Sequence, residues 1–195
     1  HTFIGVDMDL AIPYLENPLF SKVSDMLSDA VTMEFEFWGQ QVPDSISNLD
    51  TLVIPITIES LTAHSIPSGT SFNREAWLEL LVKNNDTIIY SSGYINSNSQ
   101  SLDYGDENLL LFTSYLINDQ GDTTNSVIDT HDIINNSLPA YSQRFKSYEF
   151  IIPEEIQGSV LVTARLLFRP FIPEFINEHH PEFIDNLPVF KMYSL

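Results

Sequence analysis

The sequence predicts an all-β protein, an antiparallel β-sandwich of immunoglobulin-like architecture with a short N-terminal helical segment and an irregular, partly helical C-terminal tail. Seven short segments are strand candidates, the first with the two-residue apolar alternation of a strand, and turn-forming residues close each of them. Little of the sequence between them has helical spacing, which favours a sandwich over a parallel α/β fold. With 195 residues, 43% of them hydrophobic, the chain can bury a substantial core.

Residues 1–30 differ from the rest of the chain, because apolar side chains recur there at helical intervals. These side chains are Leu15, Leu19, Val23, Met26 and Leu27. The spacing predicts a short helix, and we interpret residues 1–30 as a linker that precedes the sandwich.

The strand pattern begins at Val31, where Val31, Met33, Phe35 and Phe37 alternate with more polar residues. Such alternation is typical of a strand with one buried face. The predicted strands are 31–38, 52–60, 76–84, 87–93, 109–117, 144–152 and 159–168. The polar residues 83–86 predict a hairpin turn between two of them.

Two polar stretches, 96–108 and 118–136, are long for hairpin loops and are expected on the surface. The tail, residues 170–195, is rich in aromatic side chains and interrupted by proline, so it can form helical turns but no long helix. Its apolar residues are too numerous to remain in water, and we expect it to pack on the sandwich (31–169) or on a partner.

The charge balance limits the partners. Eight basic and 27 acidic residues give a net charge of −19, which repels nucleic acids and anionic lipid surfaces and favours a cationic partner or divalent cations. Because the acidic residues are scattered along the chain, the alternative is a diffuse solvated surface. No apolar run approaches the ~20 residues of a membrane-spanning helix. The chain has no cysteine, so it cannot form disulfides or attach haem covalently.

No motif for catalysis is present, and we predict that the chain is not an enzyme. Two oxygen-rich loops could bind calcium through Asp103 and Asp106 and through Asp119 and Asp122. Neither loop has EF-hand spacing, and a solvated loop without metal is the alternative.

His64 is the histidine best placed for a role, because Pro67 and Gly69 stiffen the turn that carries it between two predicted strands. A neutral imidazole is a good iron ligand when its second nitrogen is held by a hydrogen bond. The alternative is a histidine that packs at the end of the sandwich.

Residues 53–80, VIPITIESLTAHSIPSGTSFNREAWLEL, resemble the C-terminal non-haem β-sandwich domain of multihaem c-type cytochromes. In that family a V-x-V-x-N strand runs into G-H-x-x-P-T-G, an Arg, W-L-E-V and a hairpin that ends in S-G. The matching positions here are 57–60, 63–69, Arg74, 77–80 and Ser92-Gly93. Further similar segments are 135–140, 148–150, 162–166, 187–189 and the H-x-F-x-G segment at 1–5.

The resemblance implies a periplasmic or cell-surface domain that supports electron transfer without carrying haem itself. Haem c would lie in an adjacent segment or chain, because the family attaches haem through C-x-x-C-H and no such motif occurs here. His1 and His64 would then be candidate distal ligands of those haems. The partners implied are the haem-bearing segment or subunit and a redox protein.

A second function stays open, that of an extracellular binding or adhesion module. The loops 96–108 and 118–136 would bind its ligand, with calcium as a cofactor. The two hypotheses differ in whether haem motifs occur upstream in the precursor.

Overall fold

The computed structural model of the chain describes residues 7–36, 45, 47–95 and 101–195. In this part the helices are α1 (Phe20–Ser28) and α2 (Pro173–His179), with short 3-10 helices at Tyr14–Glu16, Ser71–Asn73 and Pro181–Asn186. The strands are β1 (Val31–Phe35), β2 (Thr51–Ser60), β3 (Glu75–Asn84), β4 (Thr87–Ser92), β5 (Leu110–Phe112), β6 (Ser114–Ile117), β7 (Thr123–Thr124), β8 (Asp132–Asn135), β9 (Gln143–Ile151), β10 (Val160–Arg169) and β11 (Phe190–Ser194).

The strands form three sheets, and every strand pair is antiparallel. One sheet has the order β1-β2-β9 and the second the order β11-β10-β3-β4, with β5 also paired to β3. The third, small sheet has the order β7-β6-β8. The prediction of an all-β sandwich with a short N-terminal helix and helical turns in the tail is confirmed. Its immunoglobulin-like strand order and the division at residues 30 and 169 stay predictions.

The main core lies between the first two sheets, where alternate side chains of each strand meet. Ile54, Ile56 and Ile58 of β2 are buried against inward residues of β3 and β10 such as Leu80 and Leu166. Period-two alternation places these residues on one face of each strand. The amphipathic helix α1 adds further buried apolar side chains and packs against β11.

Strand β3 is unusual because both of its faces are buried. The outward face carries Trp77, which is fully buried in a second cluster with Leu102 and Leu167. The segment from 101 to β5 covers this face. The two glutamates on this face lie opposite arginines of β10, since Glu75 pairs with Arg169 and Glu79 with Arg165 in the strand register.

The predicted strand at 109–117 is two strands in different sheets. The chain leaves β5 and enters β6 at Thr113, whose hydroxyl donates to the carbonyls of Ser71 (3.2 Å) and Arg74 (2.8 Å). Thr113 therefore bonds to residues outside both sheets, at the point where pairing with β3 ends and pairing with β7 and β8 begins. Apolar residues stand on both sides of Thr113 and Ser114, and two polar residues within such a run do not by themselves indicate a change of sheet.

Two regions expected to lack strands contain them. Strands β7 and β8 lie within the predicted loop 118–136, and β11 lies within the tail. β11 forms the edge of the second sheet next to β10, with Phe190 and Met192 buried. The predicted strand 31–38 is observed as β1 up to Phe35, while residues 37 and 38 lie outside the described residues.

Gly93 is a position where only glycine fits. It has φ +64°, and an added Cβ would lie 2.5 Å from the carbonyl oxygen of Leu78 and 3.1 Å from the Trp77 ring. Gly93→Ala is therefore expected to lower the free energy of unfolding by about 2–5 kcal/mol, through left-handed backbone strain and overpacking.

The matched control is Gly121→Ala, because Gly121 has φ +86° and nothing within 4 Å of an added Cβ. Backbone strain alone should lower its stability by about 1–2 kcal/mol. Urea denaturation of both variants measures the difference. Equal losses in the two variants would show that the close approach at residue 93 does not matter.

Candidate functional site

The turn that carries His64 is fixed to the body of the sandwich. Ile66 forms an antiparallel bridge with Leu138, with N to O distances of 2.8 and 2.7 Å, and both side chains are buried. The Arg74 guanidinium donates to the Ser68 carbonyl at 3.0 Å. These contacts join three segments that the sequence resemblance singled out separately, so the turn has a defined conformation.

The His64 side chain is exposed, and one of its nitrogens is already bonded. Nδ1 lies 3.1 Å from the carbonyl oxygen of Ser65. A carbonyl can only accept, so in the neutral imidazole the proton is on Nδ1. Nε2 then carries the free lone pair, and no described residue bonds to it. This is the arrangement in which a histidine binds a metal through Nε2.

Exposed apolar side chains lie next to this turn. Leu61 is 47% exposed and Tyr141 is 71% exposed. Their loops are joined, because the backbone N–H of Tyr141 donates to the carbonyl of Thr62 at 3.2 Å. The imidazole therefore stands on a surface that a packed neighbour could bury.

The other sequence candidates are not brought to His64 by any contact described here. His1 lies outside the described residues, so its proposed ligand role stays a prediction. Asp106 has a structural task. Among the described residues, three donors bond to its carboxylate: Ser92 Oγ (2.7 Å), Gly93 N (3.2 Å) and Asn108 N (2.8 Å).

Asp103 also holds its own turn, because its Oδ1 accepts from the backbone N–H of Gly105 at 2.9 Å. Asp119 and Asp122 lie in a tight turn in which the Asn118 side chain accepts from the backbone of Asp122 at 2.9 Å. In the described part of the chain, no group of three or more His, Asp or Glu side chains could hold a metal ion. Calcium binding by these loops stays a prediction.

Comparison with known proteins gives one finding on the fold. No protein-family model matches the chain, and the comparison with curated proteins finds no match. Among solved structures the chain is similar to a penta-heme cytochrome c552 from Thermochromatium tepidum, with a TM-score of 0.64 and 16% sequence identity. The match covers 88% of this chain and 40% of that chain. The likeness is one of fold.

Neither of the two α-helices among the described residues is long and apolar enough to span a membrane.

Sequence reasoning did not find a second polar site, on the outward face of β3. Glu75 and Arg169 are 1% and 0% exposed and form a buried ion pair, in which Arg169 Nε donates to Glu75 Oε1. The guanidinium also lies over the Trp77 ring, 5.2 Å from its centroid. Tyr104 closes the group, since its hydroxyl lies 3.2 Å from Glu75 Oε2 and 3.3 Å from Arg169 Nη2.

Burial decides the electrostatics of this group. Desolvation raises the pKa of Glu75, and the opposing charge and hydrogen bond of Arg169 offset only part of that shift. The pKa of Tyr104 is raised well above its usual range by burial and by the Glu75 charge. Burial and the same charge raise the pKa of Tyr115.

The sequence does hold a signal for this site. Glu75 and Glu79 lie four residues apart in a mostly apolar strand, and Arg165 and Arg169 lie four residues apart in another. Antiparallel pairing of such strands places each glutamate opposite an arginine, as the register of β3 and β10 does. The sequence alone cannot show which strands pair.

Proposed function

We propose that this chain is the non-haem domain of a multihaem c-type cytochrome, where it packs against a haem-bearing segment or subunit and supports electron transfer. The observation that supports this proposal is the similarity of fold to the penta-heme cytochrome, which covers 88% of this chain and 40% of the cytochrome chain. In this proposal, the haems lie in a part that has no counterpart here.

The residues of this chain fit that role. Without cysteine it cannot hold haem c by thioether bonds, but an exposed imidazole with a free Nε2 can complete the coordination of an iron bound elsewhere. Iron with two histidine ligands transfers electrons and leaves no position for a substrate. His64 would orient its ring through the Ser65 carbonyl, while Leu61 and Tyr141 would be buried by the haem-bearing partner.

The net charge of −19 supports a docking role towards a basic redox partner, since opposite charges accelerate association. A periplasmic or cell-surface location belongs to the same proposal. His1, outside the described residues, is proposed as a second distal ligand.

The absorbance and electron paramagnetic resonance spectra of the native, haem-containing protein test the proposal. We expect a Soret band and low-spin ferric haem in the wild type. In His64→Ala, we expect one haem to become high-spin, because its iron loses a strong-field imidazole.

His131→Ala is the control, because His131 is also an exposed loop histidine in this chain. Its spectra should equal those of the wild type. Identical spectra for His64→Ala and wild type would exclude His64 as a ligand while leaving the domain assignment intact. A native precursor with no C-x-x-C-H motif and no Soret band would end the domain assignment itself.

One observation favours the alternative of a binding or adhesion module. The small third sheet and its loop expose Val127, Ile128, Ile133 and Ile134, with Ile128 95% exposed. These residues belong to the stretch 118–136, which that alternative assigns to ligand binding. A haem-free native protein whose melting temperature rises with calcium would favour it.

A further inference from the structure

A cavity of about 310 Å³ opens beside the buried ion pair, where α2, the sheet of β6 and β7 and the segment around Tyr104 meet. Its volume is at the lower end of the range for small-molecule sites. The residues that line it are Phe72, Glu75, Tyr104, Leu111, Thr113, Ser114, Tyr115, Leu116, Thr123, Thr124, Asn125, Ile172 and Glu174.

The charged groups in this lining are all negative. Among the described residues, the lining includes two carboxylates, Glu75 and Glu174, and no Lys, Arg or His. Arg169 balances one of these charges from behind Glu75, since it is fully buried and does not line the cavity. The cavity wall is therefore one positive charge short of balance.

The Glu75 carboxylate keeps an acceptor directed away from Arg169. Arg169 bonds to Oε1, whereas Oε2 accepts one hydrogen bond from a described residue, that of Tyr104 at 3.2 Å. A carboxylate oxygen can accept two hydrogen bonds, so Oε2 has capacity for another donor. Because Glu75 is 1% exposed, a donor that reaches it would be shielded from water, which strengthens the interaction.

The remaining walls are mostly apolar or aromatic, among them Phe72, Leu111, Leu116 and Ile172. They suit a hydrocarbon body and no second charge. An anion would be repelled by the two carboxylates. A metal ion would have only these two charged ligands, and among the described residues no group of three or more His, Asp or Glu side chains could hold one.

We infer that this cavity binds an organic cation, an ammonium or guanidinium group on a small apolar body. The cation donates to Glu75 Oε2 and pairs with Glu174, while the apolar body lies against Phe72 and Leu116. The source is either a free small amine or the Lys or Arg side chain of a bound protein. The inference rests on the cavity and does not depend on the proposed function.

Nuclear magnetic resonance titration with 2-phenylethylamine and with 2-phenylethanol tests the cation requirement, since the two probes differ in the charged group. We expect the amine to bind at least about fivefold more tightly, with shift changes at the backbone of residues 123–125, and to weaken with salt. Equal binding of the two probes, or no binding of the amine at millimolar concentration, would overturn the inference.

Glu174→Gln tests the placement, because Glu174 is exposed on α2 and removing its charge should leave the fold intact. We expect amine affinity to fall about threefold to fivefold. Glu178→Gln is the matched control, with the same charge change on the same exposed helix but outside the lining. Equal losses in both variants would mean general charge attraction and would count against the cavity.

The peptide acetyl-Leu-Lys-Leu-amide separates the two sources of the cation. Its norleucine analogue, which lacks the charged amino group, is the control and should not bind. Binding of the lysine peptide with the same shift changes would indicate a protein side chain as the natural occupant. Binding of the free amine alone would indicate a small-molecule ligand. Failure of both the lysine peptide and the free amine would refute the site.

Discussion

A chain that ends at Arg169 is expected to lose cooperative unfolding altogether. The deletion removes β11, the edge strand of the second sheet, with the buried side chains of Ile176, Leu187, Phe190 and Met192. Removing one such core side chain lowers the free energy of unfolding by about 2–5 kcal/mol. The summed loss is therefore as large as the ~5–15 kcal/mol that stabilises a typical domain. Thermal unfolding followed by near-ultraviolet circular dichroism measures this.

Point variants on β11 separate lost packing from mere shortening. Met192 is 2% exposed, and Met192→Ala should lower the free energy of unfolding by about 2–5 kcal/mol. Lys191 points outward on the same strand, and Lys191→Ala should change it by less than about 0.5 kcal/mol. A truncated chain that melts cooperatively within a few degrees of the full chain would contradict the prediction.

Replacing Arg169 by methionine is expected to lower the free energy of unfolding by about 3–5 kcal/mol at neutral pH, as measured by urea denaturation. The change leaves the Glu75 carboxylate buried without its counter-ion, and an uncompensated buried charge is strongly destabilising. A loss below about 1 kcal/mol would show that the pair is not needed for stability.

The double variant Arg169→Met with Glu75→Leu is the control, because it removes both charges and keeps the site filled. It should recover most of the loss, since a buried ion pair is often no better than apolar side chains of similar volume. Failure to recover would indicate that other contacts of Arg169 account for the effect.

The pH dependence of Arg169→Met follows from the pKa of Glu75. Burial already raises that pKa, and the variant removes the arginine that lowers it, so the folded-state pKa rises further above the unfolded value. A raised carboxyl pKa gives stability below the unfolded pKa that is lost as pH rises through the folded one. The difference from wild type should therefore be large at pH 7 and shrink as the pH falls towards about 4.

Part of the site could be predicted from local sequence. Pro67 and Gly69 indicated a stiff turn around His64, and Gly69 does have φ +70°. The hydrogen bond that leaves Nε2 free depends on the orientation of the Ser65 carbonyl. The bridge between Ile66 and Leu138, 72 residues apart in sequence, fixes the turn, and such pairing has no local signal.

The carboxylates illustrate the opposite case. Asp106 is a calcium candidate because loops rich in oxygen suit calcium, and that role stays a prediction. The fold adds a role that the sequence does not show, since the Asp106 carboxylate holds the Ser92-Gly93 turn. Glu75 is not among the candidates that the sequence suggests, and the fold buries it beside a cavity. The composition shows how many charged groups the chain has. Their burial and their partners depend on the segments that the fold packs against them.

The local features follow from the amino-acid sequence alone: the strand periodicity, the helix at α1, the turns and the absence of cysteine, which rules out haem attached through thioether bonds. Each of these depends on residues close together in the chain. Three further features are seen only in the fold: β11 completes the second sheet, Thr113 divides one apolar run between two sheets, and Glu75 pairs with Arg169. These outcomes depend on contacts between distant segments, where burial and hydrogen bonding outweigh local preference.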